Sequence, residues 1–220
     1  MPKSTTAAGK TWLVRELWDL GAIQFGNWNL GRTQNSPVYV NLRLLVSNPA
    51  ALQRVGRVIR EESETRLTML HPGMAPFSRC AGVPFGGLLI ATAFSLVSRV
   101  PMIYLHPTKG GGNVIEGQYI PGQTVLIIDD LITGGTSVIE TAQQLRDAGL
   151  FVKDAIVLVD RRQGARERLK RYGINLIPIL DLEMILNWGM ANGRIPDERL
   201  YQASIEYLRG RAGEERDAAS

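Results

Sequence analysis

Cysteine occurs once in 220 residues, at Cys80. A single thiol excludes an internal disulfide framework and a cysteine-built zinc cluster, and it reads as a small buried side chain in a reducing compartment. Long apolar runs are missing too. No stretch approaches the roughly 20 apolar residues that span a bilayer, and the opening MPKSTTAAGK lacks the apolar segment of a secretory leader, so a cytoplasmic protein with no membrane partner is expected. Neither GxxxxGK[ST] nor GxGxxG is present, which argues against a nucleotide triphosphatase and a dinucleotide oxidoreductase. Charge of one sign is not gathered anywhere: 25 Lys and Arg stand against 21 Asp and Glu, and the formal charge of +4 is spread along the chain. That balance suits a small anionic ligand about as well as a weak attraction to nucleic acid, and charge alone does not choose. With no aromatic stacking array or nucleic-acid motif beside it, nucleic acid is not an expected partner.

What the chain does contain centres on Val125 to Ser137, VLIIDDLITGGTS. Four apolar β-formers run into two adjacent carboxylates, Asp129 and Asp130, then into a short loop of small and hydroxyl residues. A helical pattern starts at Val138 and runs through Leu145 to a stop at Gly149. Open backbone N–H groups at such a helix start, with the Thr133, Thr136 and Ser137 hydroxyls beside them, form an anion cradle. The two carboxylates suit sugar hydroxyls or a divalent cation. A ligand carrying both a phosphate and a sugar diol follows. The bland alternative for the acid pair, a capping or solvent-facing role at a strand end, loses ground because an anion-cradling loop comes next.

The rest of the chain alternates strand with helix. TWLVRELWDLG places Leu13, Leu17 and Leu20 near helical spacing and ends at Gly21, and Ala22 to Asn41 reads as short strands and a turn. A helix opens at Pro49 and carries Leu52, Val55 and Ile59 on one face. Leu67 to Leu70 reads as a short strand, Leu88 to Val97 as a buried helix, Val100 to Leu105 as a strand and Val114 to Glu116 as an edge piece. Ala155 to Val159, a charged helix over Gln163 to Arg171, Ile174 to Leu180 and a helical pattern from Asp181 to Trp188 complete the series. Strands apolar on both sides and separated by helices predict an α/β fold, a mainly parallel sheet flanked by helices, with ligands at the carboxyl ends of the strands. The expected division is a flexible lead over 1–10, an N-terminal hood over 11–47, a core over 48–192 and a helical extension with a frayed tail over 193–220.

Further candidates surround this centre. Gly82, Val83, Pro84, Phe85, Gly86 and Gly87 form a loop in which glycines let the backbone approach a ligand, a second anion loop if it is more than a strand-to-helix turn. Arg79 lies just upstream as a cation for it. His106 and Lys109 share a glycine-rich stretch, read as a mobile loop over His106 to Asn113 that closes over a leaving group, with a plain surface hairpin as the alternative. Arg161 in VDRRQG has the planar fork that pairs with a carboxylate, and Arg43 in VNLR is a second basic candidate whose alternative is a surface salt bridge.

These stretches together resemble the type I phosphoribosyltransferases, and among them the orotate-using branch. The likeness covers roughly residues 11 to 192. It rests on VLIIDDLITGGTS, GVPFGG, FGNWNL with SPVYVNLR, VIEG at Val114 to Gly117, and VLVDRRQG. The resemblance implies a phosphoribosyl pyrophosphate substrate, orotate as the base, Mg²⁺ as cofactor and a homodimer in which a mobile loop of one subunit completes the site of the other. It assigns the ribose hydroxyls to Asp129 and Asp130 and the 5-phosphate to Thr133, Gly134, Gly135, Thr136 and Ser137, with Leu131 and Ile132 as substrate contacts between them. Pyrophosphate with Mg²⁺ goes to Gly82 through Gly87, the metal being held by pyrophosphate and ribose hydroxyls with Asp129 or Asp130 in support. The orotate carboxylate goes to Arg161, the leaving group to Lys109 with His106 second, and further substrate contacts to Arg32, Tyr39, Arg43 and Arg79.

Two positions depart from the family pattern. Gly31, with Arg32 beside it, stands where the family has a lysine after FGxFxL, and LHPTKGGGN keeps Lys109 alone as a clear cation where the family has RKxxKxHG. Losing one well-placed donor to a leaving group costs on the order of 3 kcal/mol, about a hundredfold in rate. A different base, or a binding protein that keeps the phosphoribosyl cradle without transfer, therefore stays open beside orotate transfer.

Overall fold

The computed structural model describes residues 7–30, 33–71, 73–107 and 113–217. Its centre is a six-stranded sheet. The strands are β3 (Arg79–Gly82), β4 (Met102–Pro107), β5 (Asn113–Glu116), β6 (Thr124–Ile132), β7 (Phe151–Asp160) and β8 (Asn175–Asp181), in the spatial order β5-β4-β3-β6-β7-β8. Every neighbouring pair is parallel except β4 with β5, which run antiparallel at one edge. The helices are α1 (Ala7–Asp19), α2 (Pro49–Leu67), α3 (Gly86–Ser98), α4 (Thr136–Asp147), α5 (Ala165–Arg171), α6 (Leu182–Ala191) and α7 (Glu198–Asp217).

The two-residue period of β6 explains the layering. Val125 and Ile127 point to one face and join Val138, Ile139, Ala142 and Leu145 of α4 with Ala165 and Leu169 of α5. Leu126 and Ile128 point to the other and join Val55 and Ile59 of α2, Ile90 and Phe94 of α3, and apolar side chains of α1, α6 and α7. Both faces of the strand are thus dry, which is why TVLII reads as a continuous apolar run. Each such side chain taken out of water contributes about 1.5–3 kcal/mol.

An antiparallel hairpin, β1 (Ile23–Leu30) with β2 (Thr33–Val40), stands outside the sheet, with Ile23 opposite Val40 and Trp28 opposite Ser36. A 3₁₀ turn (Leu42–Ser47) leads from it to α2, whose first turn is capped by Asn48 accepting from Ala51 N–H at 3.1 Å. The C-terminal α7 packs against both β2 and α6.

The α/β architecture matches the sequence reading, with one strand displaced. Leu67 to Leu70 does not form a strand: α2 runs to Leu67, Thr68 N–H still bonds Glu64 O at 3.1 Å, and Leu70 is 93% exposed. The strand at this place in the chain order is β3, RCAG, four residues without a single β-branched side chain. Its backbone qualifies it through parallel ladders on both sides, which no local propensity announces.

Candidate active site

β3 is bonded on one side to β4 and on the other to β6, so the chain leaves β3 in one direction and returns along its other flank after β5. Strand order switches there, and in such sheets ligands bind beyond the carboxyl ends of the strands at the switch, here those of β3 and β6. Gly82 pairs with Ile128, Val83 N–H donates to Ile128 O at 3.0 Å, and Asp129 is the next residue of β6.

The Gly82–Gly87 loop is pressed onto the acid pair. A Cβ at Gly87 would lie 2.5 Å from Ile128 O and 2.9 Å from Asp129 Cα, and a Cβ at Gly86 would collide with the carboxylate of Asp130. Only glycine permits this approach. The two stretches the sequence singled out therefore meet at the carboxyl ends of β3 and β6.

Asp129 is 6% exposed, and burial, followed by the neighbouring charge of Asp130, holds its carboxyl well above the usual carboxylate range. Asp130 N–H donates to Asp129 Oδ1 at 2.9 Å, and Leu131 N–H donates to Asp130 Oδ1 at 2.9 Å. Each carboxylate is thus fixed by the next backbone amide. Asp130 is half-buried and is the member of the pair that a ligand reaches first.

Beyond the acids, Thr133 to Gly135 turn the chain into α4. Gly135 sits before the helix at φ 78 and offers no side-chain cap, so the N–H groups of the first turn of α4 stay open for an anion. Thr133, Gly134 and Thr136 are half-buried around this turn and Ser137 is exposed.

Arg161, at the end of β7, is 2% exposed. Its backbone N–H bonds Ile132 O at 3.0 Å and its Nη2 donates to Ser36 Oγ at 2.8 Å, while Nε is buried without a hydrogen-bond partner. Burial lowers its pKa from the usual guanidinium range. Arg162 turns away to Asp181 at 2.9 Å and Glu183 at 3.6 Å. Asp160, beneath them, accepts from Arg162 N–H at 2.7 Å, and burial raises its pKa.

Other candidates fall elsewhere. Tyr39 and Arg43 meet each other, Arg43 Nη2 donating to Tyr39 Oη at 2.9 Å, and Tyr39 also packs on Trp28 at 5.0 Å between ring centroids. Arg79 is not brought to these strand ends. It opens β3 at the end opposite Gly82, and its guanidinium donates to Gln118 O at 3.2 Å and Ser78 O at 2.8 Å. His106 is exposed on β4 opposite Val114, so the expected loop gives two residues, His106 and Pro107, to β4 and Asn113 to β5. Gly31, Arg32 and Lys109 lie outside the described residues.

Two contributors went unnoticed in the sequence, Ser36 and Arg168. Arg168 reaches from α5 to the phosphate-sized loop, yet ARERLKR shows only a charged helix, and no local signal marks it. A groove of about 1280 Å³ opens beside α5; Arg161 and Arg168 line it and also contact the β6–α4 connection, whereas the acid pair does not line it. Among the described residues no three His, Cys, Asp or Glu side chains form a metal cluster, and no helix is long and apolar enough to cross a membrane.

No family model matches the chain. Individual proteins do. Uridine 5'-monophosphate synthase of Bos taurus is 38% identical over 177 residues, 79% of this chain but 35% of that protein, so the chain spans about a third of that relative. Orotate phosphoribosyltransferase of Pyrococcus abyssi is 36% identical over 171 residues, 76% of this chain and 90% of that protein. The solved orotate phosphoribosyltransferase from Aeropyrum pernix superposes with a TM-score of 0.68 at 31% identity, covering 80% of this chain and 96% of that one. With a relative of that identity matched over nine-tenths of its length, and with the strand switch and acid pair built as described, the chain belongs to the orotate phosphoribosyltransferase family.

Proposed function

We propose that the chain transfers the 5-phosphoribosyl group of phosphoribosyl pyrophosphate to orotate, giving orotidine 5'-phosphate and pyrophosphate. The observation that carries this reading is the contact of the Gly86–Gly87 backbone with the Asp129–Asp130 pair, because it brings the loop read as the pyrophosphate site against the acids read as the ribose site. The family membership and the relatives' names support the substrates.

In the reaction the orotate N1 lone pair bonds to C1 of the ribose as the C1–O bond to pyrophosphate breaks. The bonding pair leaves with pyrophosphate, and the N1 proton is released. Asp129 and Asp130 hold the ribose hydroxyls and offset positive charge developing on the ring. The open first turn of α4 with Thr133, Thr136 and Ser137 holds the 5-phosphate. The backbone amides of Phe85, Gly86 and Gly87 are read as the donors to the departing pyrophosphate, since Pro84 has no N–H and that of Val83 is spent on Ile128 O. Arg161, with an unpartnered buried Nε, supplies the fork for the orotate carboxylate.

Magnesium fits this donor set. Two carboxylates beside phosphate-bearing ligands suit a cation that keeps one or two protein oxygens and takes the rest from substrate and water. Bound Mg²⁺ would neutralise charge on the leaving pyrophosphate.

The working unit is a homodimer in a cytoplasmic setting. Phe85, just before α3, and Leu89 and Leu96 within it fall on one face and are 75%, 37% and 71% exposed, an apolar stripe running out of the pyrophosphate loop. We read that stripe as the face a second copy covers, and the family resemblance assigns Lys109 of that copy to the leaving group. A different acceptor base is the second reading, favoured by Gly31 and Arg32 at the family's lysine position.

The test is a panel of orotate, uracil and purine bases with phosphoribosyl pyrophosphate and Mg²⁺, run on the wild type and Lys109→Ala. Preference for orotate and a loss of kcat of about a hundredfold in the variant support the proposal. Preference for another base replaces orotate, and transfer to none removes the enzymatic reading.

A further inference from the structure

α5 carries ARERLKR, and its positions 165, 168 and 169 fall on one helical face. Ala165 and Leu169 of that face are buried against the connection between β6 and α4: a Cβ at Gly135 would collide with Leu169 Cδ1 and lie 3.7 Å from Ala165 Cβ. Arg168 is half-buried beside them. Its Nη1 donates to Gly134 O at 3.1 Å and to Thr136 Oγ1 at 2.9 Å.

Both bonds have a chemical consequence. A carbonyl oxygen turned into an anion cradle would repel a phosphate, and the guanidinium holds that of Gly134 by a charge-assisted bond instead. A threonine hydroxyl has one hydrogen. Since Thr136 Oγ1 accepts from Arg168, that hydrogen is left to be donated to a ligand at the open first turn of α4. The guanidinium charge also stands one hydroxyl away from the anion.

We propose that Arg168 is a positioning residue for the 5-phosphate: it fixes the Gly134 carbonyl and turns the Thr136 hydroxyl so that Thr136 donates to the phosphate. The proposal rests on the phosphoribosyl reading for the identity of the ligand. It adds a residue of α5, outside the phosphate loop, to the binding machinery.

The experiment is calorimetric binding of ribose 5-phosphate and, separately, of pyrophosphate with Mg²⁺ to the wild type, R168M, R168K, T136V and R168M/T136V, with steady-state kinetics beside it. Lys170→Met, on the same helix and exposed, controls for general charge. In R168M, affinity for ribose 5-phosphate is expected to fall about tenfold and affinity for pyrophosphate to stay within twofold. KM for phosphoribosyl pyrophosphate should rise with kcat within threefold, because the lost contact is remote from C1. R168K should recover part of the loss, since lysine keeps the charge and hydrogens for both acceptors but carries them on a stem of different reach, and it carries the test if R168M does not fold. The double variant should bind about as T136V does, because the arginine acts through the threonine.

Unchanged ribose 5-phosphate affinity in R168M, equal weakening for both ligands, or the same loss in K170M overturns the proposal. If the wild type binds ribose 5-phosphate but transfers to no base, phosphoribosyl transfer fails and the binding arms still decide the role of Arg168. If the wild type does not bind ribose 5-phosphate, both fall.

Discussion

Arg161 Nη2 donates to Ser36 Oγ at 2.8 Å, joining the end of β7 to the hairpin strand β2 across 125 residues of sequence. Ser36 spends its own hydrogen on Val38 O at 2.7 Å, so it is free only to accept. The arginine is thereby aimed by the hairpin while its Nε keeps an unused hydrogen.

Removing that aim has a measurable cost. Ser36→Ala leaves a buried charged donor without its acceptor, and urea unfolding should show a loss of about 1–3 kcal/mol. Arg161→Met should raise KM for orotate roughly tenfold to a hundredfold, the loss expected for a charged hydrogen bond, with KM for phosphoribosyl pyrophosphate changed much less. Equal effects on both substrates would mean that Arg161 does not face the base.

The two glycines that meet the acid pair should fail differently. At Gly87 the obstacles are backbone atoms of Ile128 and Asp129, which cannot give way, so Gly87→Ala should destabilise by about 1–3 kcal/mol and abolish measurable turnover. At Gly86 the obstacle is the end of the Asp130 side chain. Gly86→Ala should fold with nearly normal stability while activity falls at least tenfold, as thermal unfolding and initial rates on the same samples will show.

Asp129 provides a pH signature. Its carboxyl is held above the ordinary 3.8 chiefly by burial, so the folded chain keeps this proton to higher pH than the unfolded chain. The group's contribution to stability is intact below the unfolded value and is lost as pH rises through the raised one. Asp129→Asn carries no charge to bury. In metal-free buffer its stability advantage over the wild type should be near zero at pH 3.5 and grow towards pH 7.5, while its activity is lost. A constant difference across that range would contradict the assignment.

The acid pair and both glycine loops were legible in the sequence because each is a local pattern: an apolar run ending in two carboxylates, and glycines spaced for close backbone approach. What escaped depends on distance in sequence. β3 is a strand because β4 and β6 flank it, and RCAG alone lacks strand character. Arg79 looked close to the pyrophosphate loop in sequence, yet a strand carries residues away at about 3.3 Å each, placing it at the far end. Ser36 and Arg168 act through partners 125 and 32 or 34 residues away, and no window of local sequence contains both members of such a pair.

The most direct measurement is product identification by chromatography after incubating the folded protein with orotate, phosphoribosyl pyrophosphate and Mg²⁺, with the Asp129→Asn/Asp130→Asn variant as blank. Orotidine 5'-phosphate and pyrophosphate should form in equal amounts with the wild type and be at least a thousandfold slower with the variant. A wild type that binds phosphoribosyl pyrophosphate yet forms no orotidine 5'-phosphate, or a variant that matches its rate, would contradict the assignment of orotate transfer to this site.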